Sequence, residues 1–134
     1  MEYASLIFWR KANEMLLEME KHAGNERQLK EDRKVAGQLL FYAGINAIEE
    51  ILSAKISAYA VGDHKKRGIL LAKNLNLFPN HGEKILRYYH ILTYHETDYR
   101  RKVAYKGENG NKFVLLQEFS RLCIEEVNNA RPNH

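Results

Sequence analysis

The sequence predicts an all-α fold, and three observations predict it. Apolar residues recur at three- and four-residue spacing through most of the chain, as one face of a helix requires. No segment alternates strictly in the manner of a half-buried strand. Clusters of Gly, Asn and Pro separate the periodic stretches, which form five amphipathic segments suited to a bundle. At 134 residues the chain is expected to be a single domain, 1–134, with one core.

The first helix is expected over residues 2–22, with Phe8, Ala12, Met15, Met19 and His22 on the inner stripe and Lys11, Glu14, Glu18 and Lys21 outside it. Gly24 and Asn25 close it, and Asn25 with Gln28 resembles a capping box for a long second helix reaching about residue 59. Residues 26–34 of that helix are nearly all charged and read as solvent-facing. Beyond them, one stripe runs through Ala36, Leu40, Ala43, Ala47, Ile51, Ala54 and Ala58. A second runs through Phe41, Ile45, Ile48, Leu52, Ile56 and Tyr59. Apolar residues around so much of the circumference make this the central helix. Gly37 and Gly44 each cost about 1 kcal/mol relative to Ala in a helix interior, so they mark close packing or a bend.

Asp63 is placed to cap a short third helix to about residue 74, with Ile69, Leu70 and Leu71 inward. Its first turn, His64-Lys-Lys-Arg, puts cations where the macrodipole opposes them by up to about 1 kcal/mol each. Either an anion site is being prepared there, or this is surface charge compensated by Asp63. Asn80 and Glu83 suggest another capping box for a fourth helix to about residue 99 or 101, with Ile85, Tyr89 and Leu92 buried and Glu96 interrupting the stripe. After a turn at Gly107 and Gly110, a fifth helix over residues 112–129 presents Phe113, Leu116, Phe119, Ser120, Cys123 and Val127 inward.

Composition excludes several classes. With 45% apolar and 28% charged residues and no apolar run near 20 residues, the chain is not expected to span a membrane. Arg10, Lys11, Glu14 and Glu18 break up the first twenty residues, which do not read as a signal peptide, so a cytoplasmic location is expected. The lone Cys123 reads as a core thiol. His90 and His95, five apart, point in different directions on a helix, and neither a metal nor a cofactor is expected. Gly107-x-x-Gly110 lacks the ending of a phosphate-binding loop, and no serine has nucleophile-elbow context.

Charge placement is more informative. The net charge is +4, yet residues 63–74 and 99–112 carry more than all of it on an otherwise mildly acidic chain. The central constellation is Arg100, Arg101, Tyr105 and Lys106, joined by His64, Lys65 and Arg67 if the two basic runs meet in space. Arginine forks hold phosphate oxygens bidentately, lysines add point charge, and tyrosine stacks on a base or donates its hydroxyl. The plain alternative is that Tyr105 packs back on the bundle while the arginines decorate a helix C-terminus.

Three segments resemble the HEPN family, the higher-eukaryote and prokaryote nucleotide-binding domains. Phe41-Tyr-Ala-Gly-Ile-Asn-Ala-Ile-Glu-Glu-Ile-Leu is similar to the family's aromatic, alanine-rich second helix. His64-Lys-Lys-Arg-Gly-Ile-Leu-Leu is similar to its short basic helix, and Tyr99-Arg-Arg-Lys-Val-Ala-Tyr-Lys falls where the family carries an Arg-x4–6-His signature. The resemblance covers roughly residues 36–127. It implies an up-and-down bundle of four main helices with a short extra one, acting as a homodimer whose cleft gathers the signature from both subunits. Members cleave RNA without metal, bind nucleotides, or pair with a small nucleotidyltransferase in toxin–antitoxin modules. Arg100 matches the motif arginine, but Tyr105 stands where the motif has His, and His64 is the imidazole that could substitute from across the cleft. The resemblance therefore implies a non-catalytic nucleotide- or RNA-binding homodimer, alone or with a nucleotidyltransferase. A metal-independent endoribonuclease and a purely structural interaction module are the alternatives.

Overall fold

The longest helix organises the molecule. In the computed structural model, which describes residues 2–56, 63–94 and 97–130, the chain forms α1 (Ala4–Glu20), α2 (Glu26–Lys55), α3 (His64–Lys73), a 3-10 turn (Leu75–Leu77), α4 (Gly82–Thr93), α5 (Tyr99–Ala104) and α6 (Asn111–Ala130). No strand occurs among the described residues, in agreement with the all-α expectation. No helix there is long and apolar enough to cross a membrane.

Both stripes of α2 are buried over most of their length: Ala36, Leu40, Ala43, Ala47, Ile48 and Leu52 are fully buried, and Phe41 nearly so. Ala54 is exposed, and α2 ends at Lys55 with Ile56 extended, earlier than the periodicity predicts; Ala58 and Tyr59 lie outside the described residues. From α6, Leu116, Phe119, Ser120, Cys123 and Val127 are buried as the spacing predicts, and burial pushes the Cys123 thiol well up. Gly44 resolves to tight packing, because a Cβ there would overlap the Phe119 ring.

Helix directions follow from the contacts. Ser5 near the start of α1 donates its N–H and O–H to the Glu50 carboxylate near the end of α2 (3.1 and 2.5 Å). Beyond the other end of α1, His22 Nδ1 lies 2.6 Å from Asp32 Oδ2, so α1 and α2 are antiparallel. Gly44 meets Phe119, and further along Ile51 and Ala54 share a crevice with Val127 and Ala130, so α6 runs in the same direction as α2. Glu126 near the end of α6 accepts from the N–H groups of Asn80 and His81 (3.1 and 2.6 Å) at the start of α4, so α4 runs opposite to α6.

Local signals succeed where the cap is local. The Asn25 side chain accepts from Gln28 N (3.1 Å) and Asp63 from Lys65 and Lys66 N (2.9 and 3.1 Å). Three expectations are corrected. The Asn80/Glu83 box does not form, because Glu126 takes the amides and α4 starts at Gly82 with no cap bond from the His81 side chain. Residues 26–34 are not uniformly solvent-facing: Asp32 and Arg33 are buried, Asp32 by Gln28 and His22, Arg33 by Glu26 and the Gly107 carbonyl (2.7 Å). The fourth helix does not continue to residue 99. It stops at Thr93, the Thr97 hydroxyl donates to the Ile91 carbonyl (2.6 Å), and Asp98 adopts a left-handed conformation (φ 44°) before α5 begins. Glu96 lies outside the described residues.

Candidate functional site

The reversal at Asp98 decides where the cationic segment goes. An uninterrupted fourth helix would carry Arg100 and Arg101 onward along its own axis; instead α5 is laid across α2. Gly37 admits it, since a Cβ there would sit 2.7 Å from Val103 Cγ1. The Arg33 Nε donation to Gly107 O (2.7 Å) and the Gln38 amide to Ala104 O (3.4 Å) fasten the end of α5 and the chain beyond it. Gly107 itself has φ 69° and no room for a Cβ against the Lys30 carbonyl, so the corner depends on glycine.

The opposite wall is α3, held by one buried arginine. Arg67 is 2% exposed, and its Nε and Nη2 donate to Glu49 Oε2 at 3.1 and 2.7 Å. Its Nη1 reaches the Tyr89 hydroxyl at 3.3 Å and His64 Nδ1 at 2.7 Å, while the Tyr89 hydroxyl donates to the His64 carbonyl at 2.6 Å. A guanidinium has donors only, so His64 Nδ1 accepts and the proton of the neutral ring resides on Nε2. Burial, followed by the charges of Arg67 and Arg100, pushes the His64 pKa below its ordinary value, and the ring is neutral at pH 7.

Between these walls lies an open cleft of about 370 Å³ lined by His64, Thr93, Asp98, Arg100, Arg101 and Tyr105. The Arg100 guanidinium carbon stands 4.8 Å from the Phe41 ring centroid and 5.3 Å from that of Tyr105. Both distances are within cation–π range. Arg100 is only partly exposed, and among the described residues it has no hydrogen bond or ion pair. Arg101 stands 5.7 Å from the Tyr105 ring, and its Nε lies 3.6 Å from Asp98 Oδ2, so its charge is partly offset. Arg100 is thus the cation whose donors remain for something else.

Of the residues singled out from sequence, His64, Arg100, Arg101 and Tyr105 share the cleft, so the two basic runs meet. Tyr105 is 53% exposed and does not pack back into the core. Lys65 is exposed and borders an adjoining groove between α3 and α4. Lys106 is exposed and does not line the cleft. Arg67 is an internal support that fixes the His64 ring rather than a surface contact. Sequence reasoning missed Phe41, assigned wholly to the core, as well as Thr93 and Asp98. The Asp98/Arg101 spacing of three was a readable signal; nothing local announced Phe41. Among the described residues no three imidazole, thiol or carboxylate groups gather as metal ligands; His95 lies outside them.

The fold and cleft define an all-α protein with a cationic, aromatic-lined recess formed by α3, the end of α4 and α5. No protein-family model, curated protein or solved structure matches the chain.

Proposed function

We propose that the cleft binds the phosphate of a nucleotide or of RNA, and that the protein does so without cleaving it. The observation that carries this reading is the Arg100 guanidinium, within cation–π distance of both Phe41 and Tyr105 and without a carboxylate partner among the described residues. Aromatic faces orient the planar fork while leaving its edge N–H groups for a bidentate oxyanion. Arg101 adds field, and His64, which lines the same recess, carries its proton on Nε2 as a neutral donor.

The tautomer of His64 argues against chemistry. A general base needs a free lone pair within reach of the proton it takes. The Nδ1 lone pair of His64 is occupied by Arg67, and Nε2 already bears a proton. The endoribonuclease reading therefore requires the Arg67 contact to be given up. Tyr105, with a reference pKa of about 10, is poorly matched to proton transfer at neutral pH.

The alternating directions of α1, α2, α4 and α6 are in keeping with an up-and-down four-helix arrangement of the HEPN kind. On that resemblance we assign the chain to a cytoplasmic homodimer, with a nucleotidyltransferase as candidate partner.

The test is a titration with short single-stranded RNA and with inorganic phosphate at low and moderate salt, in chelator. Intact RNA, binding that weakens as salt rises, and its loss in Arg100→Ala are expected. Unchanged binding in Arg100→Ala rejects the site, and RNA cleavage lost in His64→Gln restores the enzyme reading.

A further inference from the structure

Adjoining the phosphate cleft is a second, larger recess of about 640 Å³ between α3 and α4, and the two share His64 and Thr93 as common wall. Its chemistry is different. Ile69 on one side, which the sequence predicts to face inward, is instead 46% exposed, and Tyr94 on the other is 54% exposed, both large side chains left open to solvent. Gly68 closes the floor: a Cβ there would stand 3.2 Å from the Tyr89 ring, so α3 lies directly on that aromatic surface. The Tyr94 ring is backed by His90, with centroids 4.6 Å apart and planes 20° apart. One face of Tyr94 is thereby supported, and the exposure of the residue leaves area for a second planar group.

Resting on the phosphate reading above, we propose that this groove is a base site, in which the nucleobase of a nucleoside 5′-phosphate unit stacks on Tyr94 beside Ile69 while its phosphate lies with Arg100. An anion recess adjoining an apolar aromatic groove matches a ligand with one anionic and one planar apolar end. The volume falls in the usual range for small-molecule sites. Lys65, on the rim of the groove, is placed for a further phosphate if the unit belongs to a chain. Stacking tolerates all four bases, so the site selects for a base being present rather than for its identity.

The test compares ribose 5-phosphate, adenosine 5′-monophosphate and a short oligoadenylate by calorimetric titration. Adenosine monophosphate is expected to bind about tenfold or more tightly than ribose 5-phosphate, the gain typical of one base stacked on an aromatic ring. Tyr94→Ala removes that gain without altering ribose 5-phosphate binding, and Tyr94→Phe keeps it. Because Tyr94 is exposed, these variants are expected to retain the wild-type melting curve. Equal binding of the two monophosphates, or an unchanged ratio in Tyr94→Ala, overturns the base site and leaves the phosphate site standing. Binding of neither, or no effect of Arg100→Ala on either, overturns the phosphate reading and the base site with it. Tighter binding of the oligoadenylate than of the monomer identifies RNA as the source of the unit; equal affinity identifies the free nucleotide.

Discussion

The Arg100 guanidinium lies 4.8 Å from the ring of Phe41, a side chain only 2% exposed, so a cleft cation without an anionic partner among the described residues rests on the hydrophobic core itself. Rigid aromatic support orients the fork before any ligand arrives, which reduces the ordering cost of binding.

Arg100→Lys retains the charge but loses both the plane that stacks and the two-pronged geometry. Phosphate affinity is expected to drop about tenfold, with stability changed by less than about 1 kcal/mol, the usual scale for one cation–π contact. Parallel titration and urea denaturation of the variant check both expectations.

Gly44→Ala sets two effects against each other. Alanine gains about 1 kcal/mol of helix propensity, but its Cβ would enter the Phe119 ring where α2 and α6 meet. Overpacking costs about 1–3 kcal/mol, and a fully buried phenylalanine has little room to retreat. The expected outcome is net destabilisation, seen as a lower urea midpoint at unchanged slope.

Arg67→Ala would leave Glu49 uncompensated and unfasten His64. Breaking one partner of a buried pair costs about 3–5 kcal/mol, so this variant should be among the most destabilising single changes in the protein. Arg101→Ala, which loses a half-open ion pair and a contact with the exposed Tyr105 ring, should cost under about 1 kcal/mol. Chemical denaturation of the two side by side measures the contrast.

The fold was legible where caps and stripes are local. The inner faces of α2 and α6 emerge from spacing alone, and so do the caps Asn25 and Asp63. Illegible were the caps supplied from far along the chain: Glu50 for α1 and Glu126 for α4 are 45 residues or more from the amides they satisfy. The burial of Arg33 was hidden for the same reason, since its partners include a backbone carbonyl 74 residues away, whereas Asp32 is held by Gln28 and His22, close in sequence. For the site, the two basic runs were visible as charge. Their meeting depends on the left-handed turn at Asp98, and nothing in the helical periodicity marks that position.

Acid should loosen the site before it unfolds the core. The folded pKa of His64 is below the unfolded value of about 6.5, so just below pH 6.5 the unfolded state binds more protons than the native one. Stability therefore falls as pH drops from 6.5 toward the folded pKa and levels off beneath it. His64→Gln should flatten that part of the profile, as read from urea midpoints between pH 5 and 8.

The most direct measurement is the side-chain N–H spectrum of the arginines during titration with inorganic phosphate, with the Arg100 resonance assigned by its absence in Arg100→Lys. A saturable shift of the Arg100 Nε–H, with the buried Arg67 signal unmoved, is the result expected. An unmoved Arg100 signal, or small linear drifts shared by every exposed arginine, would contradict the assignment of this cleft to phosphate.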